Sequence, residues 1–173
     1  MKRAIQVQGR VSLPEDTLDR LYKIANKIRV PSNWTLGEVD SRAQPSWLLP
    51  HMKEALMRLN SQGSRKFRFL DEGSQVMREI SAIAFGKGSV PTHTDHISEL
   101  SLLTFLGGSI ENNNGLHLVN EGEFYAGGQM ITLKAGESLV FDDSEPHSWM
   151  HNGYWFFAVN ALERVRPWQK HYP

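Results

Sequence analysis

Short β-type segments fill the chain from about residue 64 to residue 163, and turns rich in Gly, Asn and Asp separate them. Roughly eight or nine segments follow one another at spacings of about 8–12 residues, with no helical period among them. Short strands at such spacings are typical of a sandwich or of a barrel closed on itself. The sequence therefore predicts a mainly β fold, a jelly roll of about eight strands. The segments are KFRFL, QVMREISAIAF, THTDHISEL with SLLTFL, GLHLV, EFYA, QMITLK, SLVFD, HSWM and YWFFAVNAL.

Two amphipathic helices are predicted before this region, one in residues 12–29 and one in residues 51–63. Residues 30–49 show neither a helical nor a strand period and predict an irregular loop, while residues 4–11 alternate as a short strand does. The two helices would pack on the outside of the jelly roll. The apolar residues at helical spacing are Leu18, Leu21, Ala25 and Ile28 in the first helix and Met52, Ala55, Leu56 and Leu59 in the second.

The chain contains no internal repeat and no low-complexity tract, so we expect one domain, residues 1–173. Residues 1–63 would give mainly helical support, residues 64–163 the jelly-roll core and residues 164–173 a tail.

The charge balance and the amino-acid composition exclude several classes of function. Lys and Arg number 19, as do Asp and Glu, so nucleic acid is not indicated as a partner. With no cysteine, the chain cannot build a disulfide, a zinc–thiolate site, an iron–sulfur cluster or a cysteine nucleophile. Any metal must be bound by His, Asp and Glu. No segment approaches the ~18 apolar residues of a membrane span, so we expect a cytoplasmic protein without a membrane partner.

A candidate metal site begins in GKGSVPTHTDHISEL, residues 86–100, where His93 and Asp95 lie two residues apart. On a strand these two side chains point to the same face, although a polar strand face would show the same pattern without a metal. A third ligand is available after the acidic turn in AGESLVFDDSEPHSWMHNG, where His147 is favoured and His151 is the rival. Two histidines and one carboxylate are the set typical of non-heme iron(II) oxygenases.

The segments IAFGKGSVPTHTD, LLTFL, NNNGLHLV and AGESLVFDDSEPHSW resemble the double-stranded β-helix of iron(II)/2-oxoglutarate-dependent oxygenases, over about residues 75–163. GESLVFDDSEPHSWMHNG is especially similar to the aspartyl/asparaginyl β-hydroxylase branch, although that branch usually has a glycine where Asp95 stands. The resemblance implies that His93, Asp95 and His147 bind Fe(II) and that 2-oxoglutarate is the co-substrate. It implies hydroxylation of a C–H bond in a small molecule or in an amino-acid side chain.

One departure from this superfamily concerns the far carboxylate of 2-oxoglutarate, which an Arg or Lys about ten residues past the distal histidine commonly binds. Here that position falls on Phe156 and Phe157, which have no charge. We take Arg164 as the substitute. The other cations considered are Arg166, Lys134 and Arg78.

A cupin-type module that binds a metal or a ligand without 2-oxoglutarate chemistry is the alternative, since cupins share the jelly roll. In that interpretation Asp95 replaces a histidine and Glu99 is a fourth ligand. Gly136, Asp142, Ser144 and His147 keep the spacing of the second cupin motif without its Pro and Gly.

Several other residues have both a site interpretation and a structural one. Asp142 and Asp143 would either orient a ligand histidine or bind the backbone of their own turn. The aromatic side chains near the C-terminal end would either stack on a substrate or belong to the core. These aromatic residues are Trp149, Trp155, Phe156 and Phe157, and the polar residues considered for the pocket are Thr104, Ser148 and Asn160.

Overall fold

Two helices and twelve strands form the computed structural model, which describes residues 3–26, 33–70, 81–95, 100–112 and 114–166. The helices are α1 (Thr17–Asn26) and α2 (Leu49–Ser61), and a short 3-10 helix (Ser46–Leu48) precedes α2. The strands are β1 (Ile5–Gln6), β2 (Val39–Ala43), β3 (Phe67–Phe69), β4 (Ser81–Lys87), β5 (Val90–His93), β6 (Leu100–Asn112), β7 (Gly115–Leu118), β8 (Glu121–Ala126), β9 (Gln129–Lys134), β10 (Ser138–Phe141), β11 (His147–Met150) and β12 (Tyr154–Arg164).

The strands form two antiparallel sheets. The larger sheet has the order β1-β10-β6-β12-β4-β2, with β3 also paired to β12 and β7 to β6. The smaller sheet has the order β5-β11-β8-β9. Strands that alternate between two packed sheets bury the side chains of their facing surfaces in a common core. The fold is therefore mainly β and consistent with the predicted jelly roll.

The long strand β12 contributes to two cores because successive side chains point to opposite faces of a sheet. Trp155 and Phe157 lie in a cluster between the two sheets, which we call the inner core. Tyr154 and Phe156 lie on the opposite face, in a cluster that includes residues of α1 and α2 and that we call the outer core. The other large members of the inner core are Phe105, Phe124, Phe141 and Trp149.

The helices confirm the predicted apolar faces. Leu21 and Ala25 of α1 are buried, and Leu18 packs against the outer core. In α2 the buried residues are Met52, Ala55, Leu56 and Leu59, as the spacing predicted. Ile28 lies outside the described residues. With 10 and 13 residues, α1 and α2 are both too short to cross a membrane, and the described part of the chain contains no helix that could.

The N-terminal third differs from the prediction in its strands. Residues 39–43, predicted as part of an irregular loop, form β2, which pairs with β4 at one edge of the larger sheet. The predicted strand over residues 4–11 is reduced to β1, which pairs with β10. Residues 1–63 thus contribute two strands to the larger sheet besides the two helices. Because the sequence of β2, VDSRA, has little apolar character, it carries no strand period that could have revealed it.

Candidate metal centre

His93 and His147 face each other across two paired strands. His93 is the last residue of β5, His147 is the first of β11, and they are Cα partners in the antiparallel ladder. Their ring centroids are 4.3 Å apart. The register then shifts, because Trp149 pairs with Val90 and β5 carries one residue more than β11 over this stretch. Such a bulge re-aims nearby side chains, and here the two imidazoles meet at the edge of the smaller sheet.

Asp95 reaches the same point from beyond the end of the strand. The prediction that β5 continues through Asp95 is wrong, because the backbone N–H of Asp95 donates to the carbonyl of Asp143, 2.7 Å away, in the turn after β10. The carboxylate nevertheless lies beside both histidines: its Oδ2 is 3.5 Å from Nε2 of His93 and 3.2 Å from Nε2 of His147. One candidate ligand atom from each residue lies within 4.8 Å of the others. We call these three residues the triad.

The hydrogen bonds behind the rings fix which nitrogen faces the carboxylate. Nδ1 of His93 lies 2.8 Å from the carbonyl of Pro91, and Nδ1 of His147 lies 2.8 Å from the carbonyl of Glu145. A carbonyl only accepts, so each Nδ1 carries the proton and donates it. In the neutral form of each ring, Nε2 is then the nitrogen with the free lone pair, and it faces Asp95. Two imidazole nitrogens and one carboxylate that converge in this way are a donor set that fits a metal ion.

The turn between β10 and β11 supports this arrangement. Asp142 accepts hydrogen bonds on Oδ1 from the backbone N–H and the hydroxyl of Ser144, at 3.0 and 2.6 Å. It therefore acts as a turn residue, one of the two roles that the sequence left open. Asp143 is buried, its carbonyl holds the backbone of Asp95, and its carboxylate accepts from the hydroxyl of Ser101 at 3.4 Å.

A cavity of about 140 Å³ extends from the triad into the space between the sheets, and we call it the interior cavity. Its wall is largely aromatic and aliphatic. The large apolar side chains that line it are Leu103, Phe124, Phe141, Trp149, Trp155 and Phe157, and the polar ones besides the triad are Ser101, Asp143 and Ser148.

A larger groove of about 520 Å³ adjoins the interior cavity at His93 and Asp95, and we call it the outer groove. Residues of β2, β4 and β5 line it, among them Val39, Ala84 and Val90, which also line the interior cavity. The side chain of His147 is 6% exposed, whereas those of His93 and Asp95 are 39% and 45% exposed. The triad thus lies where the interior cavity and the outer groove adjoin, and His147 is its most buried member.

His151, the rival third ligand, forms its hydrogen bonds away from the triad. It is buried, its Nε2–H donates to the carbonyl of Val119 at 3.2 Å, and its Nδ1 accepts from the N–H of Gly153 at 3.0 Å. The ring stacks on Trp149 with a centroid distance of 5.8 Å. Both ring nitrogens therefore have partners away from the triad, and His147 is the histidine that joins His93 and Asp95.

Arg164, the predicted partner of the far carboxylate of 2-oxoglutarate, is not brought to the triad. It is exposed at the end of β12, where it pairs with Phe67 of β3, and it lines neither the interior cavity nor the outer groove. Lys134 is exposed at the end of β9. No Arg or Lys among the described residues lines either space. Arg78 and Glu99 lie outside the described residues.

The aromatic residues near the C-terminal end belong to the core, yet three of them also line the interior cavity. Trp149, Trp155 and Phe157 do both, whereas Phe156 lies in the outer core. Ser148 lines the cavity as well. The other two polar residues considered are engaged elsewhere, since Thr104 shares a 2.7 Å hydrogen bond with Ser138 and Asn160 accepts from Gln44 at 3.2 Å.

One property of Trp149 could not be predicted from the sequence. The residue is 2% exposed, and its Nε1–H has no hydrogen-bond partner among the described residues. Trp155, by contrast, donates its Nε1–H to the carbonyl of Gly88 at 2.8 Å. Whether a buried indole has a partner depends on the atoms around it in space, which strand periodicity does not reveal.

No protein-family model and no curated protein matches this chain. Solved structures do resemble it. An oxidoreductase of the 2OG-Fe(II) oxygenase family from Burkholderia pseudomallei is 12% identical, with a TM-score of 0.49 over 92% of this chain and 85% of its own. A prolyl-4-hydroxylase from Pseudomonas putida is 15% identical, with a TM-score of 0.46 over 94% and 92%. A predicted oxalate decarboxylase from Thermotoga maritima is 18% identical, with a TM-score of 0.36 over 76% and 96%. At these values the geometry of the triad, rather than the similarity, carries the functional conclusion.

Proposed function

We propose that this protein is a non-heme iron(II) oxygenase that uses a 2-oxo acid as co-substrate and hydroxylates a C–H bond of a small molecule or of an amino-acid side chain. The observation that carries the proposal is the triad. Nε2 of His93 and Nε2 of His147 both face the carboxylate of Asp95, and the carbonyls of Pro91 and Glu145 accept hydrogen bonds from the Nδ1–H groups on the other side of the rings. Two imidazole nitrogens and one carboxylate on one side of an ion are the ligand set of non-heme iron(II) oxygenases.

The strand order supports a double-stranded β-helix. Along the chain, β4, β6, β10 and β12 belong to the larger sheet, while β5, β8, β9 and β11 belong to the smaller one. A chain wound in this way brings β5 and β11 together at one end, which is where the triad lies. The remaining strands of the larger sheet extend it at its edges or beyond the ends of β12 and β6.

The triad would hold iron(II), which when bound would supply the oxidation of an unactivated C–H bond. The residues of this chain have three tasks around it. The triad binds the ion, the carbonyls of Pro91 and Glu145 orient its histidines, and the aromatic wall of the interior cavity keeps water away from the reacting groups. The outer groove offers a route by which a substrate can approach the exposed side of Asp95.

The two ends of 2-oxoglutarate fit this site differently. Its 2-oxo acid end needs open positions on the metal, which a triad provides. Its far carboxylate needs a cationic partner when buried, and the described lining of the interior cavity and the outer groove contains no Arg or Lys. A 2-oxo acid is thus compatible with the triad, whereas the far end of 2-oxoglutarate finds no partner among the described residues.

Metal content and a visible spectrum test the proposal together. We expect the protein, purified anaerobically and supplied with iron(II), to retain close to one equivalent, and His93→Ala and His147→Ala each to retain little. His117→Ala is the matched control, because His117 is exposed on β7. Addition of a 2-oxo acid to the iron-loaded protein should produce the weak charge-transfer band of a chelated 2-oxo acid. If both triad variants still retained one equivalent of iron, His93 and His147 would not be metal ligands.

A cupin-type module that binds a metal without 2-oxo acid chemistry is the second candidate. The observation that favours it is the same absence of Arg and Lys from the described lining of both spaces. Iron bound through His93 and His147 without a charge-transfer band for any 2-oxo acid would support this candidate. Loss of iron in Glu99→Gln would support it further, since a cupin-type site uses a fourth protein ligand.

A further inference from the structure

Trp149 lines the interior cavity on the same strand as one histidine of the triad. It follows His147 by two residues on β11, so both side chains point to the same face of the smaller sheet, about 7 Å apart along the strand. Both line the interior cavity. A ligand that is bound to a metal at the triad and extends into the cavity would therefore pass along the wall that contains Trp149.

The indole N–H of Trp149 has no partner among the described residues although the residue is 2% exposed. A buried donor without an acceptor is costly, and buried polar groups in native proteins nearly always have partners. Trp155 lines the same cavity and has its own acceptor in the carbonyl of Gly88. Trp149 is thus the indole that a bound ligand can satisfy.

The charges of the lining restrict what this ligand can be. Apart from the histidines of the triad, the charged side chains in the described lining are the carboxylates of Asp95 and Asp143, and no Arg or Lys is present. Among the described residues a second carboxylate on the ligand would find no cationic partner in this apolar space, and burial of an unpaired carboxylate is strongly unfavourable. An uncharged group that accepts a hydrogen bond meets no such penalty.

We propose that the interior cavity binds a 2-oxo acid whose far end is an uncharged hydrogen-bond acceptor, such as a carboxamide, and that Trp149 Nε1–H donates to it. This inference rests on the proposed function, since it names the class of co-substrate for the same site. It assigns to Trp149 the position at which a cation would bind the far carboxylate of 2-oxoglutarate.

Three 2-oxo acids of matched length separate charge from hydrogen bonding. 2-Oxoglutarate has a far carboxylate, 2-oxoglutaramate has a carboxamide of the same shape, and 5-methyl-2-oxohexanoate has an isopropyl group there. We would titrate each into the iron(II)-loaded protein under anaerobic conditions and follow the charge-transfer band. The expected result is that 2-oxoglutaramate binds about tenfold or more tightly than 2-oxoglutarate. Equal or tighter binding of 2-oxoglutarate overturns the inference and leaves the proposed function standing.

The variant Trp149→Phe tests the donor while it keeps an aromatic ring against Phe105 and Phe157. It should lower the affinity for 2-oxoglutaramate about five- to tenfold and change the affinity for 5-methyl-2-oxohexanoate by less than about twofold, because only the first ligand loses a hydrogen bond. An equal loss for both ligands would mean that Trp149 acts by packing alone, and it would overturn the inference.

NMR of the wild-type protein is a second test, and it depends neither on the folding of a variant nor on enzyme turnover. The chain has five tryptophans, so the zinc-loaded, ¹⁵N-labelled protein should give a small set of indole N–H resonances. 2-Oxoglutaramate should shift the proton of Trp149 downfield and leave that of Trp155, which is already hydrogen-bonded, nearly unchanged. A Trp149 resonance that does not move when 2-oxoglutaramate binds overturns the inference. Iron binding through His93 and His147 without a band for any of the three acids overturns both the inference and the proposed co-substrate.

Discussion

The two faces of β12 belong to cores of different character. In the outer core, the rings of Tyr22, Trp34 and Phe156 pack against one another, and the hydroxyl of Tyr22 is hydrogen-bonded to that of Ser109. In the inner core, aromatic side chains of similar size surround an open space, and the indole N–H of Trp149 has no partner among the described residues. The same strand therefore contributes to a closely packed core on one face and to the lining of a cavity on the other.

The difference between the two cores shows that packing is incomplete in the inner core, around the interior cavity. The outer core is continuous from the helices to the larger sheet, so its side chains contribute mainly to the free energy of unfolding. The inner core leaves contacts unmade, and a ligand can make them. Substitutions on the two faces should accordingly separate folding from binding.

The largest expected effect comes from removing adjacent rings of β12. Phe156→Ala should lower the free energy of unfolding by about 3–5 kcal/mol, because Phe156 is fully buried in the outer core. Phe157→Ala should cost less, because one side of the Phe157 ring borders the open space of the interior cavity. Urea denaturation measures both free energies. In the folded fraction, Phe156→Ala should bind 2-oxo acids normally and Phe157→Ala should not. Normal binding in Phe157→Ala together with lost binding in Phe156→Ala would refute the assignment of folding and binding to different faces of β12.

Metal binding should stabilise the protein through the triad, independently of the outer core. At a free iron(II) concentration 100 times the dissociation constant, the linkage between binding and folding contributes about 2.7 kcal/mol. Removal of the metal with a chelator should abolish this contribution and lower the Tm. In Asp95→Ala, the Tm with and without the chelator should coincide, whereas in Tyr22→Phe, on the outer face, the difference should persist. A metal-dependent Tm in Asp95→Ala would exclude Asp95 as a ligand.

Tyr22 should give the outer core a dependence on high pH. Burial raises the pKa of Tyr22 from 10.0 to about 12, and the hydrogen bond with Ser109 opposes this shift only in part. Between pH 10 and pH 12 the unfolded chain loses the phenol proton while the folded chain keeps it, so stability falls as the pH rises through this window.

The variant Tyr22→Phe tests this pH dependence. It should remove the contribution of Tyr22 and leave that of Tyr154, whose pKa is also raised by burial and by its hydrogen bond to Glu111. At neutral pH it should cost about 1 kcal/mol through the lost hydrogen bond. Urea denaturation at pH 9 and at pH 11.5 measures both effects, and an unchanged slope with pH would contradict the assignment to Tyr22.

The smallest expected effect is that of Arg164→Ala. Arg164 is exposed at the end of β12, away from both cores, so its loss should change stability by no more than about 0.5 kcal/mol. The affinity for 2-oxo acids, measured from the charge-transfer band, should also stay the same. A clear loss of affinity for 2-oxoglutarate alone would restore Arg164 as the partner of its far carboxylate.

The sequence predicted those helices and strands whose apolar residues recur with a helical or strand period. The apolar faces of α1 and α2 and most strands from β3 to β12 could be predicted in this way. The two histidines came from the spacing of His93 and Asp95 and from the turn before His147, together with the resemblance of the segments around them. β2 could not be predicted, because an edge strand with one neighbour needs few apolar residues. Asp95 was assigned to a strand that ends at His93, since the hydrogen bond that diverts its backbone comes from Asp143, 48 residues away in the chain. The role of Trp149 depends on an absent partner, which no sequence pattern records.

The position of β5 has a consequence for the integrity of the molecule in solution. In the described sheet β5 is an edge strand, and its neighbour is β11. Because the two histidines of the triad come from these two strands, an ion bound between them would hold β5 against β11. An open edge offers its backbone groups to other chains. Without a bound ion, the protein should therefore exchange the backbone amides of β5 and β11 faster and self-associate more readily, so that handling the protein with chelators would promote its aggregation.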